Sequence, residues 1–326
     1  MNDESMLVLS VDRDEQLATR AAWLYFVAGL TQAQIGKKLG INRIRVNRLL
    51  AQAREQGMVQ ITITGRLADC VELENKIKDR FAIDQAIIVP TPPDAALVRH
   101  VIGAAAGSAL AERLKDGMSV GVGWGRTLRL SLRSVPRRPL RRVSVVSLMG
   151  GLTRGAAVNP HETASHLADL IDAQCYYIAA PALADSEATR DVLAQQPMIR
   201  DVFERLRQVD LVLVSAGGLA ADSTINKVDL ISAADAKSLK KAGAVGDVCA
   251  HWLDIDGRLV DHPLNKRAIA LSPLELKSVP CVIVASGGMD KTEILHGALK
   301  GGMVDILITD EATASGILAI AERRGR

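Results

Sequence analysis

The chain has 326 residues, 48% of them hydrophobic and 24% charged, and a formal net charge of +3. That length predicts two domains and that balance a globular protein. No apolar run reaches the roughly 18 residues of a membrane span, and the acidic start, with Asp3 and Glu4, is unlike a signal peptide. The four cysteines (Cys70, Cys175, Cys249, Cys281) are far apart and form no CxxC pair, so they read as reduced structural thiols of a cytosolic protein.

The first dozen residues show no clear period. Asp14 to Gly29 reads as an amphipathic helix with Leu17, Ala21, Leu24 and Tyr25 or Phe26 on its inner face. Thr31 to Leu50 (TQAQIGKKLGINRIRVNRLL) then reads as two short helices joined by a tight turn at Gly40. Thr31 and Asn42 are cap residues, whose side chains satisfy free amides of a first turn. Gly40 suits the left-handed residue that ends a helix. Ile35 and Leu39 share one face, and Ile44, Val46, Leu49 and Leu50 are expected to pack inward.

Thr31 to Gln60 carries six basic residues (Lys37, Lys38, Arg43, Arg45, Arg48, Arg54) against one acid, Glu55. Basic charge gathered on one small unit is what phosphate neutralisation requires. The layout is that of a helix-turn-helix, whose second helix enters the DNA major groove. Thr31, Gln32, Asn42, Arg43, Arg45, Asn47 and Arg48 are the expected DNA-binding residues. Arg binds guanine and Asn adenine in a bidentate way. Met58 to Thr64 alternates apolar and polar residues, the period of a short strand, placed where a wing would lie near the DNA backbone.

Leu67 to Phe81 reads as a helix between the two domains, with Leu67, Val71, Glu74 and Lys78 at turn spacing and Leu73 and Ile77 as a second pair. Its place admits dimer contacts or packing on the second domain. The dimeric habit of helix-turn-helix proteins favours a role in assembly. The domains expected are therefore 1–65, a helix-turn-helix, 66–84, a linker helix, and 85–326, an α/β domain.

From Gln85 onward short β-branched runs alternate with helices. Strands are expected at Ala86–Val89, Ser119–Val122, Val143–Leu148, Gln174–Ile178, Leu211–Ser215, Cys281–Ala285 and Ile306–Thr309. Helices are expected at Leu97–Leu114, Ala164–Ile171, Met198–Arg207 and Thr292–Lys300. Near-continuous apolar strands separated by helices indicate a parallel sheet covered on both faces, a Rossmann-like α/β fold with ligands at the carboxyl ends of its strands. Four such ends are Gly-rich or polar, at Gly121–Thr127, Met149–Arg154, Ser215–Gly218 and Ser286–Lys291. Glycine admits close backbone approach, exposed amides hold anions, and Arg126, Arg154 and Lys291 add cations at these ends. This points to a phosphorylated or polyhydroxylated small ligand. Gly121, Gly123 and Arg126 fail GxGxxG at the third glycine, so no dinucleotide cofactor is expected.

Other constellations carry less. His161 and His166 are five apart, so HExxH fails and no metal site is expected; His161 could still reach a strand-end ligand. Asp254, Asp256 and Gly257 lack EF-hand spacing and read as a hairpin turn. Lys237, Lys240 and Lys241 read as a solvated helix face, and Arg137, Arg138, Arg141 and Arg142 as a solvated basic loop.

The whole resembles the SorC family of sugar-responsive transcriptional regulators, nearly from end to end. The resemblance rests on Gly29–Ile63, on VGVGWGRT at Val120–Thr127, on GDVCAHWLDIDGRLV at Gly246–Val260 and, most specifically, on Ala285–Ala314. It implies an effector domain similar to ribose-5-phosphate isomerase and glucosamine-phosphate deaminase, binding a sugar, polyol or sugar phosphate. It also implies operator double-stranded DNA as a partner, a dimer or tetramer, a cytoplasmic repressor of a carbohydrate or polyol operon, no cofactor and no membrane. Carried over by position, Gly123, Trp124, Gly125, Arg126, Thr127, Gly287, Gly288 and Lys291 would contact the effector or its phosphate. Asp247 would orient a hydroxyl or shape its turn, and Gly150, Gly151 and Arg154 match phosphate contacts more loosely. The alternative is a sugar-phosphate isomerase or deaminase with a DNA-binding appendage. An enzyme needs a converging acid and base. Asp247, Glu293 and His161 are candidates by location only, so a regulator is favoured over an enzyme.

Overall fold

The computed structural model describes residues 13–59, 67–152, 159–220, 223, 225, 228 and 230–324. The chain forms two compact units, Met1–Ile63 and Thr64–Arg326.

In the first unit α1 (Arg13–Phe26), α2 (Gln32–Leu39) and α3 (Arg43–Glu55) enclose a small core of Ala18, Ala21, Leu24, Ile35, Val46, Leu49, Leu50 and Ala53. Phe26 packs against this core and Tyr25 faces solvent. Gly40 is left-handed, at φ 67°, and ends α2 as its position predicts. Gly36 has a tighter reason to be glycine: a Cβ there would lie 2.7 Å from the Ile41 carbonyl oxygen. The expected strand at Met58–Thr64 falls mostly outside the described residues.

One expectation here is overturned. Ile44 does not join Val46, Leu49 and Leu50 in the core; it is 76% exposed. Residues two apart on a helix point about 200° apart, so Ile44 and Val46 cannot share a face.

The second unit opens with α4 (Leu67–Phe81) and β1 (Gln85–Val89). Then come α5 (Val98–Arg113), β2 (Ser119–Val122), α6 (Arg126–Ser131), β3 (Ser144–Ser147), α7 (Pro160–Ile171) and β4 (Gln174–Tyr176). The middle holds α8 (Glu187–Ala194), α9 (Pro197–Leu206), β5 (Leu211–Val214), β6 (Ala216–Gly218), α10 (Ala233–Lys241), β7 (Gly246–Val248) and β8 (His251–Leu253). It closes with α11 (Pro273–Leu276), β9 (Val282–Ala285), α12 (Thr292–Lys300), β10 (Ile306–Asp310) and α13 (Glu311–Arg324).

Seven strands form one parallel sheet in the order β1-β10-β9-β5-β2-β3-β4. Successive residues of β5 serve opposite cores: Val212 and Val214 pack on one face, Leu211 and Leu213 on the other. Helices α5, α6 and α7 cover the second face through Ile102, Leu110, Leu128 and Leu167. Helices α4, α9, α12 and α13 cover the first through Ile77, Ile199, Leu295 and Ile317. A small antiparallel sheet, β6-β7-β8, leaves the large one at the carboxyl end of β5.

The segment expected as a linker is part of this unit. Cys70 and Ile77 of α4 are fully buried in it, whereas Val71 is half exposed. Glu74 accepts the Ile88 amide at 2.9 Å, satisfying a donor on the free edge of β1. In the basic loop, Arg138 donates to the Leu114 carbonyl at 3.0 Å just past the end of α5. The four cysteines are free thiols, Cys70 and Cys249 buried.

Candidate DNA-reading helix and effector cavity

The start of α3 is set by its cap. Asn42 Oδ1 accepts the Arg45 amide at 2.8 Å. Thr31 caps α2 in a full capping box, its amide donating to Gln34 Oε1 at 2.9 Å while its hydroxyl receives the Gln34 amide. Arg43, Arg45, Asn47 and Arg48 are all exposed, on one short helix. Arg43 Nε reaches Gln32 Oε1 at 3.4 Å, bringing the starts of α2 and α3 together. The seven expected DNA-binding residues thus gather around two helix starts, with Thr31 and Asn42 also holding those helices in place.

In the second unit a cavity of about 520 Å³ lies at the carboxyl ends of β1, β10, β9, β5 and β2, five neighbours in the sheet. From the expected residues it brings together Trp124, Gly125, Arg126, Thr127, Asp247, Gly287, Gly288 and Lys291. Gly125 (φ 128°) and Gly288 (φ 100°) hold backbone conformations that side-chain-bearing residues rarely adopt, and each turns the chain just after a strand. A third cation, Arg99, lines the same space from the first turn of α5. Glycines let α5 and α6 approach closely: a Cβ at Gly107 would lie 2.0 Å from the Ser131 carbonyl oxygen. That contact brings the helices bearing Arg99 and Arg126 together.

Asp310 is the frame of the cavity floor. Its carboxylate accepts from Thr91 Oγ1 at 2.8 Å, the Gly288 amide at 3.0 Å and Thr313 Oγ1 at 2.6 Å. Ser286 Oγ donates to the Ala216 carbonyl at 2.9 Å and ties β9 to the small sheet. That sheet delivers Asp247, paired in register with Gly217. Asp247 is buried, and burial pushes its carboxyl up to about 7, against the opposing pull of the Ala250 amide (3.1 Å) and the Lys291 charge. Lys291 itself is paired with Asp290. The site thus offers a group near neutrality beside cations, suited to hydroxyls and an anionic group.

The other expected residues lie elsewhere. Gly123 packs on Val214 (3.2 Å from a would-be Cβ) and does not line the cavity. Gly150 and Gly151 are small for steric reasons: a Cβ on the first would meet the Ala180 and Pro181 carbonyls at 2.5 Å, and on the second the His161 ring at 2.7 Å. His161 points its Nε2 at the Ile178 carbonyl (3.1 Å), lies against Tyr177, and has its pKa lowered by burial. Arg154 lies outside the described residues. Glu293 is exposed and apart from the cavity walls. Arg99, Thr91 and Asp310 carry no Gly-rich signal, because the β1 end reads Thr91-Pro92-Pro93 and the β10 end Thr309-Asp310-Glu311.

No helix among the described residues is long and apolar enough to cross a membrane. The family model described as "Putative sugar-binding domain" matches residues 65–319, and that of "Sigma-70, region 4" matches 23–56. The chain is 31% identical to the erythritol catabolism regulatory protein EryD of Brucella abortus, over 94% of this chain and 98% of that one. It is 30% identical to the transcriptional regulator LsrR of Klebsiella pneumoniae, over 94% of each. The crystal structure of the full-length sorbitol operon regulator SorC from K. pneumoniae superposes with a TM-score of 0.72 at 26% identity, covering 93% of this chain and 98% of that one. The chain carries a helix-turn-helix region ahead of a parallel α/β sugar-binding domain and belongs to the SorC family of sugar-binding transcriptional regulators.

Proposed function

We propose that this regulator is a cytoplasmic repressor of a carbohydrate or polyol catabolic operon, acting as a dimer or tetramer. In this reading α3 holds operator DNA, and a sugar, polyol or sugar phosphate in the cavity of the second unit controls that hold. The carrying observation is the convergence of Arg99, Arg126, Lys291 and Asp247 on one 520 Å³ space at five strand ends. Arg99 and Arg126, with Lys291 paired to Asp290 beside them, suit a phosphate, and a carboxyl titrating near 7 suits a hydroxyl as donor or acceptor. Trp124, Gly125, Thr127, Gly287 and Gly288 shape the walls around it. The effector binds one arrangement of the oligomer better than another and so shifts the spacing of paired recognition helices.

In this reading the protein acts without turnover; His161 turns its Nε2 to the Ile178 carbonyl and Glu293 lies apart from the cavity walls. A thermal-shift screen of sugars, polyols and their phosphates, followed by operator titration with each hit, tests the proposal. A compound that raises the melting temperature and changes operator affinity is the expected result. Tight binding with unchanged operator affinity would refute the control mechanism. Enzyme-like conversion of a sugar phosphate would refute the non-enzymatic reading.

A further inference from the structure

Within this DNA-binding reading, the burial pattern of α3 separates readers of bases from holders of phosphates. Val46, Leu49, Leu50 and Ala53 are the buried residues of the helix. At about 100° per residue their mean direction lies opposite a point only about 10° from Ile44 and about 30° from Arg48. Asn47 lies about 70° from that outward point, whereas Arg43 and Arg45 sit about 110° and 90° away on opposite flanks. The outermost side chain in the first turn is thus a bare isoleucine, 76% exposed between two arginines.

Scattered apolar residues are ordinary on protein surfaces. This one stands where recognition helices place base contacts, in the N-terminal turn. Its folded-state value is small: it buries little, and a β-branched residue is a middling helix former. An apolar side chain in the major groove has one specific partner, the C5-methyl of thymine.

We propose that Ile44 reads a thymine methyl, with Arg48 and Asn47 on neighbouring base edges, while Arg43 and Arg45 hold phosphates on either side. The link of Arg43 to Gln32 fits that division, since it turns this guanidinium towards the start of α2. Sequence choice then depends on an apolar contact that no charge count reveals.

The test starts from duplexes that the full chain selects from a randomised library. Each thymine of the selected site is then replaced by deoxyuridine, which lacks only the methyl. One replacement per half-site weakens wild-type binding about threefold to fivefold, the worth of one buried methyl-sized group. Ile44→Ala, at an exposed position that leaves the core intact, is indifferent to that same replacement. Arg48→Ala selects an altered sequence. Arg43→Ala keeps the selected sequence and lowers the salt slope by about 1. A wild-type chain indifferent to every deoxyuridine, or an Ile44→Ala chain that loses the same factor, overturns the assignment. A change of selected sequence on Arg43→Ala overturns the division of roles. If the wild-type chain enriches no sequence, the DNA-binding reading itself fails and this assignment falls with it.

Discussion

A Cβ added at Gly217 would stand 2.1 Å from Oδ1 of Asp247. The two residues face each other across β6 and β7, and the glycine leaves the space that the buried carboxyl occupies. Gly217→Ala therefore displaces Asp247 or opens the small sheet. Overpacking of this kind costs about 1–3 kcal/mol. The expected outcome is a lower urea midpoint together with loss of the effector-induced thermal shift. Gly150→Ala, which collides with the Ala180 and Pro181 carbonyls away from the cavity, lowers stability but leaves the effector's relative stabilisation in place.

Asp247 also sets a pH dependence. Its ordinary value is 3.8 and its folded value about 7. Between those values the folded chain binds a proton that the unfolded chain lacks. The group's contribution is thus fully present below about 4 and is lost as pH rises to about 7. The limiting slope is about 1.4 kcal/mol per pH unit. Asp247→Asn removes this titration, so the variant gains on wild type from pH 4 to 7 and the gap is constant above. Urea melts of both proteins across that range measure it. A pH-independent gap would show that Asp247 is ionised in the fold throughout.

His251 works in the opposite sense. Burial lowers its pKa to about 4 from 6.5, so it is neutral in the fold at pH 7. Its contribution is present above 6.5 and is lost as pH falls towards 4. His251→Gln leaves the Asp247 decline uncompensated between pH 4 and 6.5, while Asp247→Asn leaves the His251 rise uncompensated over the same range. Melts of each single variant separate the two limbs, which overlap and partly cancel in the wild type.

Much of the large sheet is legible without coordinates. Its central strands β5, β9 and β10 are buried on both faces, so they write short apolar runs such as Leu211–Val214. The small sheet leaves no such trace. Its strands have three residues each, and Ala216–Gly218 carries two glycines whose role is to admit neighbours. Ile44 misleads because three apolar residues come soon after it in sequence, and only the helical phase sets it opposite them. Gly150 and Gly151 look like ligand loops because steric need and ligand need select the same residue. Arg99 carries no local signal: it reaches the cavity only because the sheet order puts β1 beside β10. The cavity's charge balance is a property of strand order, which no single strand end encodes.

Those cations give a chemical prediction. Removing Arg126 or Arg99 takes a charged donor from the cavity while leaving Asp247 in place. A hydrogen bond to a charged group is worth about 1.5–3 kcal/mol. Each Ala variant should therefore lose at least about tenfold in affinity for a phosphorylated hit and much less for its unphosphorylated parent. Calorimetric titration of both compounds reads the difference. Equal losses for the two would place the cations on hydroxyls or in the fold, away from any phosphate.

Asn42 offers a way to separate holding α3 from touching DNA. Its Oδ1 accepts the Arg45 amide, and an N-cap of this kind contributes about 1 kcal/mol. Asn42→Ala removes the cap, so both stability and operator affinity fall, with faster hydrogen exchange in the first turn of α3. Asn42→Asp keeps an acceptor at the same place and adds negative charge beside the positive end of the helix, which preserves stability. The same charge repels phosphate, so operator affinity falls while the melting temperature holds. That loss must shrink as salt rises, because it is electrostatic. Thermal melts and DNA titrations at two salt concentrations decide the case. Unchanged DNA binding by Asn42→Asp would mean that this end of α3 stands clear of the DNA backbone.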